Sequence, residues 1–259
     1  MSNSLRMYLG MMLRHPRLFV HFLRHPSLSE LRSRGRELDL KPIKSASVNK
    51  EEKTFVFNNI DYEYFYNDYN KTWSSERTVE VPIIWRVLQE NPNSKILEVG
   101  NVLSHYFKTK HTILDKFEQA PGVINQDIVE FSPPTKFDLI VSISTLEHVG
   151  WSTKREEERD QAKFSKAIEK ILSLLNPEGK IWFTVPLGYN EFLDDDLRNN
   201  RLKLDGMYFL KRISADNRWK QCGYDEVRDS VYGGFTITAT KNPPFPKANA
   251  IMVGLLIAK

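Results

Sequence analysis

Five short apolar runs, each closed by polar residues, constrain this 259-residue chain more than any other feature of its sequence. Lys95–Val99 follows an Asn91-Pro92 turn, carries Glu98 near its end and stops at Gly100. His111–Leu114 is closed by Asp115, and Gly122–Gln126 by Asp127. Phe137–Ile143 runs into Ser144, and Lys180–Val185 into Pro186 and Tyr189. Continuous rather than alternating apolar runs of this length are the pattern of strands buried on both faces. Helical periodicity lies between several of them, the longest over about 156–175, so the order is that of successive βαβ units in a parallel sheet. A sixth run, Ile251–Ala258, is entirely apolar and belongs near the centre of that sheet.

The carboxyl ends of strands in an open α/β sheet form one crevice, which is where ligands bind. Glycine suits position 100 because the backbone must turn sharply there without a Cβ in the way. Asp115 lies 17 residues beyond Glu98, near the roughly 20-residue offset at which a carboxylate meets a ribose diol. Val102 and Ser104 stand where a dinucleotide fingerprint needs glycines for backbone approach to a pyrophosphate. That counts against a dinucleotide ligand.

Leu97-Glu98-Val99-Gly100, Leu114-Asp115, Asn125-Gln126-Asp127, Phe137-Asp138-Leu139-Ile140, Leu146-Glu147-His148-Val149 and Leu174–Lys180 occur in this order and spacing. From Lys95 onward the chain resembles the class I S-adenosylmethionine-dependent methyltransferases. The resemblance implies an α/β, Rossmann-like sheet, mostly parallel with the last strand antiparallel, and S-adenosyl-L-methionine as cofactor. It implies that Glu98 and Gly100, with Asn101, line the methionine end, that Asp115 holds the ribose, that Asp127 with Ile128 meets the adenine, and that Ser142 and Ser144 lie under the sulfonium. A departure is Asn101-Val102-Leu103-Ser104 in place of the glycine-rich continuation. His148, with Glu147 beside it, is the expected proton acceptor, against the alternative that the pair caps and packs the next helix. Arg77, Trp151, Tyr189, Asn190, Arg212 and Trp219 are the side chains expected near an acceptor. For Arg77 and Glu80 a solvated helix face is the competing reading. Asp194-Asp195-Asp196 reads as a solvated acidic loop, and no metal is expected.

The runs Glu98–Phe107 and Ser144–Trp151 resemble more narrowly bacterial-type methyltransferases associated with surface-polysaccharide assembly. They imply O-methylation of a sugar or lipid-linked glycan hydroxyl. Two alternatives stay open: a binding or scaffold protein that kept the fold with weak or no turnover, and a methyltransferase acting on a lipid or small molecule.

The single cysteine, Cys222, rules out a disulfide framework or a thiolate cluster within one chain. No apolar run approaches the roughly 20 residues of a membrane span. His15, Pro16 and Arg17 interrupt the early apolar run, so no cleavable leader is expected, and the expected compartment is the cytoplasm. Residues 1–53 read as a helical arm and linker, in which Leu13-Arg14-His15-Pro16 recurs as Leu23-Arg24-His25-Pro26. Seven arginines face three acids over residues 1–40, a balance of +4, and the remaining 219 residues are neutral. The arm is expected to pack on the domain, to join two copies or to touch an anionic membrane surface peripherally. No nucleic-acid partner is expected, because arginines without a reader motif make a thin case. Residues 54–94 read as an aromatic lid segment, against the alternative of plain packing, that is either a hairpin turning at Asn58-Asn59 or an extended stretch, and a lead-in helix from Ser75-Glu76 to about Glu90. Residues 95–259 form the main domain, with an insertion over about 187–225.

The charge asymmetry is testable. Deleting residues 1–40 should leave affinity for an adenosyl ligand within about two-fold, because every expected contact lies beyond them. If the arm meets membrane, the full chain should co-sediment with anionic vesicles and be released by salt. Equal binding by the deletion variant would assign the contact elsewhere.

Overall fold

A computed structural model of the chain describes residues 53–151, 159–233, 245 and 247–259. The arm read over 1–52 lies outside them. No helix among the described residues is long and apolar enough to cross a membrane.

The chain enters through a hairpin, β1 (Thr54–Phe57) and β2 (Ile60–Glu63). Asn58 and Asn59 both take positive φ, 53° and 61°. This mirror-image turn matches strand twist and asparagine tolerates it. Helix α1 (Arg77–Glu90) follows, with Val79, Ile83, Ile84 and Leu88 buried as the periodicity predicts. Pro82 lies inside it. A proline cannot donate to the carbonyl four residues back, and the freed Thr78 carbonyl accepts instead from Phe65 N at 3.0 Å. The helix break thus docks the aromatic segment.

The expected strands then appear in order: β3 (Ile96–Val99), β4 (Thr112–Leu114), β5 (Val123–Ile124) and β6 (Phe137–Ile143). β5 is shorter than the six residues expected, since it is the sheet edge and its one neighbour spans three residues. Helix α2 (Gln161–Ser173) starts where the Asp160 side chain accepts from Ala162 N at 2.9 Å. It is followed at once by β7 (Leu175–Pro186), which begins before the expected Lys180 because Leu175 already pairs with Phe137.

Residues 187–225 are not an insertion. They hold α3 (Glu191–Arg198), β8 (Gly206–Arg212) and β9 (Trp219–Cys222), and both strands belong to the main sheet. Charged residues before and within β8 (Arg201, Lys203, Asp205, Lys211) obscure the strand pattern, and β8 lies one strand in from the sheet edge. The last strand, β10 (Ala250–Ile257), inserts antiparallel between β7 and β8.

The sheet order is β5-β4-β3-β6-β7-β10-β8-β9. From β5 to β7 all pairs are parallel. This is the Rossmann-like, mostly parallel sheet with an antiparallel last strand that the class I methyltransferase resemblance implied. Strand order reverses between β3 and β6, and a crevice opens at such a switch point.

Residue alternation assigns the two faces. Leu139, Val141, Ile143, Ile251 and Val253 pack under α1 and the hairpin. Ile140, Ile181, Phe183, Val185 and Met252 pack under α2 and α3. Within β10, Gly254 pairs with Phe183, and a Cβ at Gly254 would sit 2.3 Å from Phe183 Cζ. Gly254→Ala should therefore overpack the sheet and cost about 1–3 kcal/mol, a fall of roughly 3–10 °C in melting temperature. Adding Phe183→Leu should recover part of the loss in the same melting experiment.

Candidate active site

At the end of β3 the chain turns at Gly100, whose φ is +91° and whose N–H donates to Leu114 O at 2.8 Å. A Cβ there would lie 2.1 Å from Thr145 Oγ1. Glu98 has no exposed surface. Its Oε1 accepts from Val102 N (2.9 Å) and Leu103 N (2.8 Å), and Oε2 meets His111 Nε2 at 2.7 Å. This corrects the expectation that Glu98 lines the methionine end. A carboxylate engaged three times inside the protein fastens the turn and does not face a ligand.

Asn101 and Asp115 do face each other across the crevice wall. Asn101 N donates to Asp115 Oδ2 at 3.0 Å, and Asp115 Oδ1 accepts from Phe117 N and Glu118 N, each at 2.8 Å. Asp115 thereby organises the loop after β4 while keeping lone pairs free. Glu118, which sequence reasoning passed over, accepts from Asn101 Nδ2 at 2.8 Å and pairs with His105 at 3.0 Å. Tyr69 stacks on His105 with centroids 4.3 Å apart. These side chains stand where a glycine-rich loop would offer bare backbone.

Asp127 is paired to Lys163 (2.9 Å) and Lys116 (3.0 Å) and accepts from Val129 N at 3.2 Å. Burial raises its pKa, but the two lysines outweigh it and hold the carboxyl below its ordinary range. Ile128 lies in the core. Ser142 is fully buried and its hydroxyl donates to Val99 O at 2.8 Å, so it locks β6 to β3 and does not underlie a ligand.

Ser144 ends β6 in a left-handed conformation, φ +36°, with its N–H on Thr184 O at 2.9 Å. Its hydroxyl donates to Glu80 Oε1 at 2.6 Å, and Arg77 donates to Glu80 Oε2 at 2.5 Å. The first turns of α1 thus reach onto the strand ends, and the solvated reading of Arg77 and Glu80 is overturned. The run Thr78-Val79-Glu80-Val81 is the signal: apolar neighbours on both sides bury the charge. Burial pushes Arg77 down, but Glu80, Glu76 and Glu147 outweigh it and raise its pKa. Burial outweighs Arg77 at Glu80 and raises that carboxyl.

Glu147 and His148 occupy the short helical turn after Thr145. The Glu147 side chain is 3% exposed and His148 is 52% exposed. Glu147 Oε1 lies 3.6 Å from His148 Nε2, and Oε2 is buried with no hydrogen-bond partner among the described residues. Burial drives the Glu147 pKa well above the carboxyl range, against its own backbone N–H and Arg77. Crowding by the surrounding protein, then Arg77, lowers His148. The other ring nitrogen, Nδ1, meets Tyr189 Oη at 3.1 Å. Tyr232 packs edge-on against Tyr189 with centroids 5.1 Å apart. Burial, Glu76 and Glu147 raise its phenol pKa. Glu76 and Tyr232 were not picked out from sequence.

Of the remaining expected acceptor contacts, only Tyr189 and Arg77 join this group. Asn190 caps α3 through Phe192 N and Leu193 N and donates to Glu147 O at 2.8 Å. Trp151 is buried beneath Arg159 (4.3 Å) and against Phe192. Arg212 is buried over Phe245 and donates to Ser214 O (3.1 Å) and Ala215 O (3.0 Å), and burial lowers its pKa to about 10. Trp219 is a core residue whose Nε1 donates to Asn217. Asn190, Arg212 and Trp219 are structural for the same reason, polar ends already satisfied inside the fold, whereas Trp151 is held by packing, its Nε1 having no hydrogen-bond partner among the described residues. The three aspartates diverge, Asp194 to Gly188 N at 3.1 Å and Asp195 and Asp196 to Arg201. Burial lifts Asp194 to a pKa of about 6.

No protein-family profile matches the chain, and no curated protein does. Solved structures similar to it include the N-methyltransferase NodS from Bradyrhizobium japonicum WM9 in complex with S-adenosyl-L-homocysteine, at 13% identity over 68% of this chain and 84% of that one, with a TM-score of 0.41. A methyltransferase described as a possible histamine N-methyltransferase from Thermotoga maritima is similar at 11% identity over 71% of this chain and 91% of that one, TM-score 0.40. The magnesium protoporphyrin IX methyltransferase of Synechocystis PCC 6803, with bound S-adenosylmethionine, is similar at 10% identity over 71% and 79%, TM-score 0.35. The sheet order, rather than these likenesses, assigns the fold.

The Arg77–Glu80–Ser144 link is testable. Glu80→Ala leaves a buried guanidinium without its partner and should cost about 3–5 kcal/mol. Denaturant melts should show this loss, with Glu80→Gln, which still accepts from Ser144, losing less.

Proposed function

We propose that this chain is an S-adenosylmethionine-dependent methyltransferase that O-methylates a sugar or lipid-linked glycan hydroxyl in surface-polysaccharide assembly. One observation carries the reading: a buried carboxyl, Glu147, one of whose oxygens has no hydrogen-bond partner among the described residues, stands beside an imidazole, a guanidinium and two phenols at the switch-point crevice of this sheet. A buried polar atom without a partner is costly, and a ligand group that completes it removes the penalty.

The residues present fit the cofactor. Gly100 leaves no Cβ at the turn, and Asn101, Asp115 and Glu118 line the adjacent wall with acceptors suited to ribose hydroxyls and an ammonium group. Arg77, paired through one guanidinium nitrogen with Glu80, is a buried cation with further N–H donors for a carboxylate, whether the cofactor's or the acceptor's. Asp127, with both lysines on it, would accept from an adenine amino group through a remaining lone pair, beside Ile128. When bound, S-adenosylmethionine supplies an activated methyl group. The protein's part is to align acceptor and donor, exclude water and remove one proton. Tyr189, Tyr232 and His148 form an aromatic rim beside hydrogen-bonding groups, a combination suited to a sugar ring. The sugar reading draws further support from the resemblance in Glu98–Phe107 and Ser144–Trp151.

Calorimetry with S-adenosylhomocysteine should show binding to the wild type, weakened by about 2–4 kcal/mol in Asp115→Ala as charge-assisted ribose bonds are lost. Melting temperatures tracked alongside separate loss of the loop from loss of the contact. Labelled methyl transfer to a panel of hexose and deoxyhexose octyl glycosides tests the acceptor class. A wild type that does not bind S-adenosylhomocysteine would overturn the cofactor, and binding without transfer to any glycoside would overturn the sugar.

A further inference from the structure

Both nitrogens of His148 face protein groups, Nδ1 toward Tyr189 Oη at 3.1 Å and Nε2 toward Glu147 Oε1 at 3.6 Å. Nδ1 is thus engaged, while Nε2 is aimed at the carboxyl from beyond hydrogen-bond reach. Glu147 is the group with an open position. One oxygen turns to His148, and the other is buried and bare among the described residues. Arg77 and Glu80 act on this carboxyl from α1 and Glu76 from the residue before it, and Glu147 in turn raises the phenol pKa of Tyr232. Asn190 Nδ2 holds the Glu147 backbone carbonyl at 2.8 Å, which fixes the turn that presents the side chain.

We propose that Glu147 takes the acceptor's proton and His148 carries it to solvent, with Tyr189 holding the imidazole in the tautomer that lets it do so. The inference rests on the methyl-transfer reading above. Glu147 begins as a neutral carboxylic acid with its proton on Oε1. As the acceptor oxygen bonds to the methyl carbon, the carbon–sulfur bond breaks and its electron pair stays on sulfur. The acceptor's O–H proton passes to Oε2, and the Oε1 proton passes to Nε2. Glu147 ends neutral, His148 ends as an imidazolium, and the positive charge lost at sulfur reappears on the ring. The half-exposed ring then releases its proton to water.

This sequence requires a free lone pair on Nε2, hence a proton on Nδ1 that Tyr189 Oη accepts. The 3.6 Å separation is longer than a hydrogen bond, and such contacts close when a site is filled. Burial raises the pKa of the carboxyl and lowers that of the ring, so it favours the neutral form of both groups. Glu147 is thus the catalytic residue, and Tyr189, acting through His148, is a positioning residue.

The test is nitrogen-15 NMR of the His148 ring in the full-length protein, with and without S-adenosylhomocysteine. The neutral wild-type ring should carry its proton on Nδ1, and Tyr189→Phe should shift it toward Nε2. The wild-type ring should titrate in two steps, as a coupled pair does, and Glu147→Gln should reduce this to one. With a glycoside from the panel above, Glu147→Gln should slow single turnover by about 10²–10⁴-fold, with S-adenosylhomocysteine affinity unchanged and Glu147→Asp recovering part of the rate. An Nε2–H wild-type ring, a one-step wild-type titration, or near-normal turnover in Glu147→Gln would each overturn the relay. If Glu147→Gln does not fold, the wild-type tautomer and titration decide. They remain readable in ligand-free protein even if the cofactor reading fails.

Discussion

The carboxylate of Glu98 holds the turn on which the crevice depends. It sits at the end of the strand where sheet order reverses, and its three partners all lie inside the protein. A carboxylate that accepts two backbone N–H groups does locally what a helix cap does. It satisfies donors that a glycine-rich loop would leave turned toward a ligand. The loop here is correspondingly closed on itself. Its outer surface is made by side chains, Asn101 above all, and through Asn101 it is tied to Asp115 and Glu118 in the loop after β4.

A second constraint comes from helix α1, which precedes the main sheet in sequence yet completes the crevice. Its first turns bury Glu76, Glu80 and Arg77 against Ser144 and Glu147. Charges this deep are tolerated only when paired and hydrogen-bonded. Arg77 answers to Glu80, and Glu80 answers to Ser144, whose strained backbone is held from the other side by Thr184. Among the described residues, Glu147 is the acid of this group left with a bare oxygen. That imbalance separates it from the other acids of the group and makes it the chemically interesting one.

Much of the sheet could be read from the chain because strands buried on both faces must be continuous and apolar. Phe137–Ile143 and the Asn58-Asn59 hairpin appear as read, since each depends on neighbours a few residues away. β8 and β9 escaped because strands toward the edge of a sheet have a wet side and carry charge. The site residues divide in the same way. Gly100 and Asp115 are positioned by the strand tips that contain them. Asn190, Arg212 and Trp219 looked like acceptor contacts because polar and aromatic residues in a loop-rich stretch resemble a binding surface, and only their partners reveal them as internal fastenings.

The sequence by itself determined the succession of the strands from β3 to β7, the crevice at their carboxyl ends and the residue types gathered there. Periodicity and turn chemistry act over short spans of chain, so one-dimensional pattern is sufficient for them. Tertiary structure alone decided which of those polar groups are spent on the fold and which remain free. Glu98 and Glu147 are both buried glutamates beside a histidine, and nothing local distinguishes them. His111 and two backbone amides complete the first. The second meets His148 with one oxygen and, among the described residues, no hydrogen-bond partner with the other. Hydrogen-bond satisfaction is a property of what the folded chain brings together, and here it separates a structural carboxylate from one left for chemistry.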